Sequence, residues 1–182
     1  TVYLKPAFVF KRAADERRWS RLIYNLKVVY PIALEANATL HAMEQRMDSM
    51  KTKREKQEFV KAMERALTAA FFAQRPQALP LYETLEAELL ALGEDVQAVV
   101  QRTQITFRNR CVFAAVSFAR CPKREPHSVM LTFGLPARLD SPRVFQAVEP
   151  YPGRWTHHVL LCSAEQIDAE LLGWLRQAYA FA

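Results

Sequence analysis

The chain has 182 residues, enough for one medium domain or two small ones, and half of them are hydrophobic. That composition suits a chain that buries a sizeable core and is not disordered overall, and the presence of only four glycines argues against a glycine-rich phosphate loop. The net charge of +6 is unevenly spread: residues 1–75 carry 15 Lys/Arg against 8 Asp/Glu, and residues 76–182 carry 10 against 11. The asymmetry predicts two units with different surfaces.

Residues 1–10 alternate loosely through Val2, Leu4, Phe8 and Phe10 around Pro6, which predicts an edge strand or an extended arm. From Ala13 to about Tyr30, Leu22, Leu26 and Val29 form one helical stripe, and Pro31 kinks or restarts that helix. Leu40, Met43, Met47 and Met50 give a coiled-coil-like seam, and Phe59, Met63, Ala66, Ala70 and Phe71 a further stripe. Two antiparallel helices joined near Lys51 are the economical arrangement. Gln74-Arg75-Pro76-Gln77 reads as the linker.

Leu81, Leu85, Leu89 and Leu92 then define an amphipathic helix stopped by Gly93, followed by a short helical piece around Asp95 to Val100. After that the period changes to two. Strands are expected at Ile105–Phe107, Phe113–Phe118, Ser128–Phe133 and Trp155–Cys162, with turns at Asn109-Arg110 and Cys121 to Pro126. Asp140-Ser141-Pro142 reads as a helix start. Ser163 with Gln166 fits a capping box before a last helix, whose apolar face runs through Ile167, Leu171, Trp174, Leu175, Ala178 and Tyr179. The fold class is therefore α+β. An N-terminal helical hairpin with an extended arm occupies residues 1–75, and a small, four-stranded, mainly antiparallel sheet covered by helices occupies residues 76–182.

Over residues 79–182 the chain resembles a bacterial family of domains of unknown function. The resemblance runs in order through Pro80-Leu81-Tyr82, Thr103 to Asn109, Phe113 to Phe118, Leu131 to Pro136, Asp140 to Arg143, Trp155 to His158 and Trp174 to Tyr179. More distantly this half is similar to MmcQ/YjbR-like proteins. That likeness implies a small α+β fold with a suspected nucleic-acid or partner-binding role and no established catalytic residues. Residues 1–71, through Arg18-Trp19 to Pro31 and the hairpin after it, resemble part of a second uncharacterised bacterial family whose members are usually exported.

His157 and His158 are adjacent on a predicted strand, so they point to opposite faces and cannot jointly chelate one metal. Cys111, Cys121 and Cys162 show no metal spacing, an odd number that suits free thiols in a reducing compartment. Cys162, placed just before a helix start, invites the thought of a thiol acidified by the helix dipole. No metal, cofactor or catalytic residue is assigned. Arginines cluster at strand ends and turns of the second half, among them Arg102, Arg108, Arg110, Arg120 and Arg124, interleaved with Phe107, Phe113 and Phe118. Such patches hold polyanions. A groove of Arg108, Arg110, Arg154, Trp155, His157 and His158 is the expected ligand site.

The expected function is a noncatalytic binding or interaction module holding an anionic ligand, with nucleic acid or another polyanion as partner. The alternatives are a protein–protein adaptor that self-associates through the helical hairpin, and a small enzyme using a histidine as acid or base. No apolar run approaches the roughly 18 residues that span a bilayer. A cytoplasmic location is expected from the second half, whereas the resemblance of the first half implies export.

Overall fold

The computed structural model describes residues 52–118 and 125–182, with a few positions between 42 and 50. The chain divides into two compact units, residues 1–64 and 65–182. The predicted arm at 1–10, the helix at 13–30 and the Leu40, Met43 and Met47 positions of the seam lie outside the described residues.

Helix α1, Lys53–Phe71, begins in the first unit and ends in the second. Its start is fixed by a reciprocal cap. The Thr52 hydroxyl accepts the Glu55 amide at 3.2 Å, and the Glu55 carboxylate accepts the Thr52 amide at 3.0 Å. Two otherwise orphaned donors at the helix start are thereby satisfied.

In the second unit the end of α1 leads through a 3-10 turn, Pro76–Ala78, into α2, Leu79–Leu90. Pro80 sits in the first turn of α2, where a missing amide costs nothing. Leu81, Tyr82, Leu85 and Leu89 form its buried face at helical spacing. Six strands follow: β1 Gln97–Val100, β2 Gln104–Arg108, β3 Val112–Ser117, β4 Val129–Leu135, β5 Val144–Tyr151 and β6 Arg154–Leu161. They form one antiparallel sheet in the order β1-β2-β3-β4-β6-β5. Helix α3, Ala169–Phe181, packs across β3 and β4.

The strand alternation places one set of residues inside. Ile105, Val116, Leu131 and Val159 pair across four strands, and Phe107, Ala114, Phe133 and His157 make the next row of that face; all are buried. Tyr82 of α2 reaches Phe107 and Trp174 of α3 stacks on Phe133 at 6.1 Å, so the helices seal this face with rings. The row on the opposite face reads Thr106, Ala115, Thr132, His158 and Gln146.

The α+β class holds, but three local expectations do not. The segment expected to be helical around Asp95 to Val100 supplies β1, because Val99 and Val100 pair with Thr106 and Ile105 across a tight turn. The helix expected after Asp140-Ser141-Pro142 is β5. Those residues make only a turn, closed by the Val144 amide on the Ser141 carbonyl at 3.0 Å, before the chain enters a hairpin with β6. Gly153, with φ of 73°, takes the left-handed position in that hairpin, which a side chain would strain. The sheet thus has six strands where four were expected. The Ser163/Gln166 capping box is present, with Gln166 Oε1 accepting the Ser163 amide at 3.2 Å, but it closes a 3-10 turn, Ala164–Gln166. The helix itself starts at Ala169, capped by Asp168, whose carboxylate accepts the Leu171 amide at 2.9 Å.

Candidate ligand-binding site

Antiparallel register brings the end of β2, the start of β3, the end of β4 and the start of β6 to one end of the sheet. The C-terminal end of α3 reaches the same end. Asn109 Nδ2, in the β2–β3 turn, donates to the Tyr179 carbonyl at 3.1 Å, and the Tyr179 ring meets Phe113 edge-on at 5.6 Å. Arg154 lies over the Phe181 ring at 5.9 Å, and Arg138, just past β4, lies over Trp155 at 5.7 Å. Arg108 donates from Nη2 to the Arg110 carbonyl at 3.2 Å. Arg110, Arg138 and Arg154 are exposed. The last turn of a helix favours nearby positive charge, and α3 carries no basic residue of its own there.

Four of the expected site residues, Arg108, Arg110, Arg154 and Trp155, therefore lie on one rim. They are not a single cluster: β2 and β6 are three strand positions apart, about 14 Å at ordinary strand spacing. Arg138 was missed by sequence reading, although an arginine two residues after the strand-ending Pro136 falls at the same sheet end.

The histidines part company. His157 is fully buried and stacked on Phe133 at 5.5 Å. Its Nε2 accepts the Leu139 amide at 2.9 Å, so the ring proton of the neutral form sits on Nδ1. Nδ1 is buried and makes no hydrogen bond of good geometry, although the Phe133 backbone favours a proton there. Burial, then the positive charge available to His158 and that of Arg138, push the imidazole below its usual pKa, and the Phe133 backbone offsets part of this. His158, on the other face, bonds Thr132 Oγ1 through Nδ1 at 2.9 Å, and burial lowers its pKa too. Cys162 moves the opposite way from an activated thiol: burial, then the Glu125 carboxylate, raise its pKa. The helix dipole is too remote to counter this, because α3 starts only at Ala169.

At the far end of β6, Arg143 holds several partners at once. Its Nη1 reaches both oxygens of Asp168 and one of Glu170 at 2.8 Å, its Nη2 reaches the Gln166 carbonyl at 2.6 Å, and its guanidinium covers Trp174 at 5.5 Å. Next to it an open pocket of about 360 Å³ is lined by Pro142, Phe145, Val159, Leu160 and Leu161. Phe145 is 59% exposed there, and Val148 and Tyr151 further along β5 are also exposed. Among the described residues no group of three His, Cys, Asp or Glu side chains is placed to hold a metal ion. Nor is any described helix long and apolar enough to cross a membrane.

The family model described as Domain of unknown function (DUF5655) matches residues 68–182, and that described as Domain of unknown function (DUF4294) matches residues 1–102. The chain belongs to both families. The DUF5655 match takes in the whole sheet, α2, α3 and every residue of the arginine rim. The DUF4294 match runs past Phe71, where the sequence reading ended the N-terminal resemblance, so both cover residues 68–102. No curated protein and no solved structure matches the chain.

Proposed function

We propose that the DUF5655 unit is a noncatalytic module that holds an anionic ligand, with nucleic acid as the candidate, on the rim formed by Arg108, Arg110, Arg138 and Arg154. The observation that carries the reading is the placement of these arginines, with Trp155 and Phe181, along one end of the sheet. Guanidinium groups spread over about 14 Å can meet successive phosphates, and rings beside them offer faces on which bases stack. The noncatalytic reading is supported by the chemistry of the nucleophile and base candidates. His157 Nε2 is already occupied by a backbone amide, and the Cys162 thiol is held protonated.

Fluorescence anisotropy of a labelled single-stranded oligonucleotide, titrated with the full chain over a range of salt, tests this. Binding should weaken steeply as salt rises, and removal of the four arginines together should abolish it. Absence of binding at low salt, or binding indifferent to that fourfold substitution, refutes the reading.

The exposure of Phe145, Val148 and Tyr151 along β5 favours a protein–protein adaptor as the second reading. Pro150 and two register shifts blunt β5 as an edge, so a protein partner would meet side chains there and not extend the sheet. Retention of a partner by the full chain, lost in Phe145→Ser/Tyr151→Ser, is the supporting result; retention unchanged by the pair of substitutions counts against it.

A further inference from the structure

We propose that His157 is the positioning residue for Arg138: its Nε2 holds the Leu139 amide, pins the segment after β4, and releases that segment when the imidazole takes a proton. The segment is short. β4 ends at Leu135, Pro136 and Ala137 are exposed, Arg138 lies over Trp155, and Leu139 is tied to His157 at 2.9 Å. Trp155 and His157 share one face of β6, so the ring that Arg138 covers and the ring that holds Leu139 are neighbours on it.

Protonation reverses the sense of this bond. An imidazolium has two N–H donors and no acceptor, so Nε2–H would face the Leu139 N–H and both would be left unmatched. The described residues around it offer no compensation. On the strands flanking it, His157 is paired with Phe133 of β4 and Ala147 of β5, neither charged. Along β6 its neighbour is His158, and the segment itself brings Arg138, another cation, while Asp140 is exposed at its far end. From α3, Trp174 stacks on Phe133, with the Arg143 guanidinium over the Trp174 ring and the carboxylates of Asp168 and Glu170 committed to that arginine. A charged, fully buried ring without a counterion is costly, and letting the segment leave so that water reaches Nε2 is the least disruptive remedy.

The sign follows from linkage. His157 titrates lower in the closed arrangement than in an open one, where the value is near 6.5. The latch is therefore fully closed above about pH 6.5 and loosens as pH falls. With one proton taken up on opening, its equilibrium shifts by about tenfold per pH unit in that range.

The latch is a property of the fold, while its effect on a ligand rests on the arginine-rim reading, so the test has two arms. Hydrogen exchange of the Leu139 amide in the full chain, corrected for the intrinsic pH dependence of exchange, is followed from about pH 8 to about pH 5.5. Protection should fall with pH in the wild type and in His158→Gln, and stay level in His157→Gln, whose amide oxygen accepts the same N–H without titrating. Protection that is level in the wild type, or that falls equally in His157→Gln, overturns the proposal. Should His157→Gln not fold, the His157 ring titration seen by NMR must share its midpoint with the Leu139 profile, and separate midpoints overturn it. In the second arm, the loss of oligonucleotide affinity caused by Arg138→Ala should shrink at the lower pH in the wild-type background and persist in His157→Gln. Equal losses at both pH values overturn the link between latch and rim. An oligonucleotide that never binds sinks the rim reading alone, because the exchange arm is read without it.

Discussion

Tyr179 Oη donates to Asp95 Oδ1 at 2.6 Å, tying the last turn of α3 to the turn that leads into β1. The same phenol lies against Gly93, where a Cβ would collide with the Tyr179 hydroxyl and come within 2.8 Å of both its ring carbon and Asp95. The Asp95 hydrogen bond, followed by burial, raises the Tyr179 pKa. Gly93→Ala should therefore destabilise the unit by about 1–3 kcal/mol, the usual cost of overpacking. Tyr179→Phe should cost less, because only one hydrogen bond is lost. Urea unfolding should show lower midpoints at unchanged slope, and a Gly93→Ala midpoint equal to wild type would refute the steric account.

Arg143 holds two acidic side chains and a carbonyl through one planar fork, a geometry that lysine cannot reproduce. Arg143→Lys should lower Tm by roughly 2–4 °C at neutral pH. Its hydrogen bond, with help from the Leu171 amide, holds the Asp168 carboxyl below the usual carboxylate range. The stabilisation is thus present above the unfolded carboxylate pKa of about 3.9 and lost as pH falls through the lower folded value. Thermal scans of both proteins should converge in acid; a difference that stays constant down to about pH 2 would argue against the ion pair as its source.

Arg154 and Arg110 face solvent at opposite sides of the rim. If both meet phosphates, Arg154→Ala and Arg110→Ala should each reduce the salt dependence of oligonucleotide binding by about one phosphate contact, and do so for any base sequence. Salt titrations of the two variants measure this directly. A variant that weakens binding without changing the slope contacts something other than phosphate.

His158 is paired with Thr132, and burial lowers its pKa. It adds to the acid sensitivity of the fold: folding is favoured while the ring is neutral, and stability declines as pH drops below about 6.5. Replacing Thr132 by valine should cost about 1 kcal/mol through the lost hydrogen bond. His158→Gln should flatten the stability profile between about pH 7 and pH 5. Chemical denaturation at the two ends of that range decides the matter, and an unaltered slope in His158→Gln would exclude the residue.

Much of the second unit was legible in residue order because its signals are local. The leucine spacing of α2, the alternation in β2, β3, β4 and β6, and the opposite faces of His157 and His158 all survive in the structure. β1 and β5 were illegible for a common reason. Each is short or irregular, and each becomes a strand by pairing with a neighbour: β1 with Thr106 and Ile105, β5 with Val159 to Arg154 through two register shifts. The reciprocal cap of Thr52 and Glu55 was readable and overlooked, since a threonine three residues before a glutamate is its signature.

The candidate rim was half visible. Arginines at strand ends can be picked out in a sequence, but which ends meet depends on strand order. Arg138 joins Trp155 only because β4 and β6 are adjacent, and Arg143 lies away from the rim because β5 starts at the other end of β6.

Sequence by itself determined the helical and pleated periods, the caps and the arginine-rich turns, since these depend on residues within a few positions of one another. Only the tertiary structure decided that β5 is an edge strand, that the end of α3 gathers the arginine rim, and that His157 serves a backbone amide in place of a ligand. The last two outcomes rest on contacts between residues 17 to 70 positions apart, whose partners are chosen by burial and hydrogen-bond satisfaction across the whole sheet.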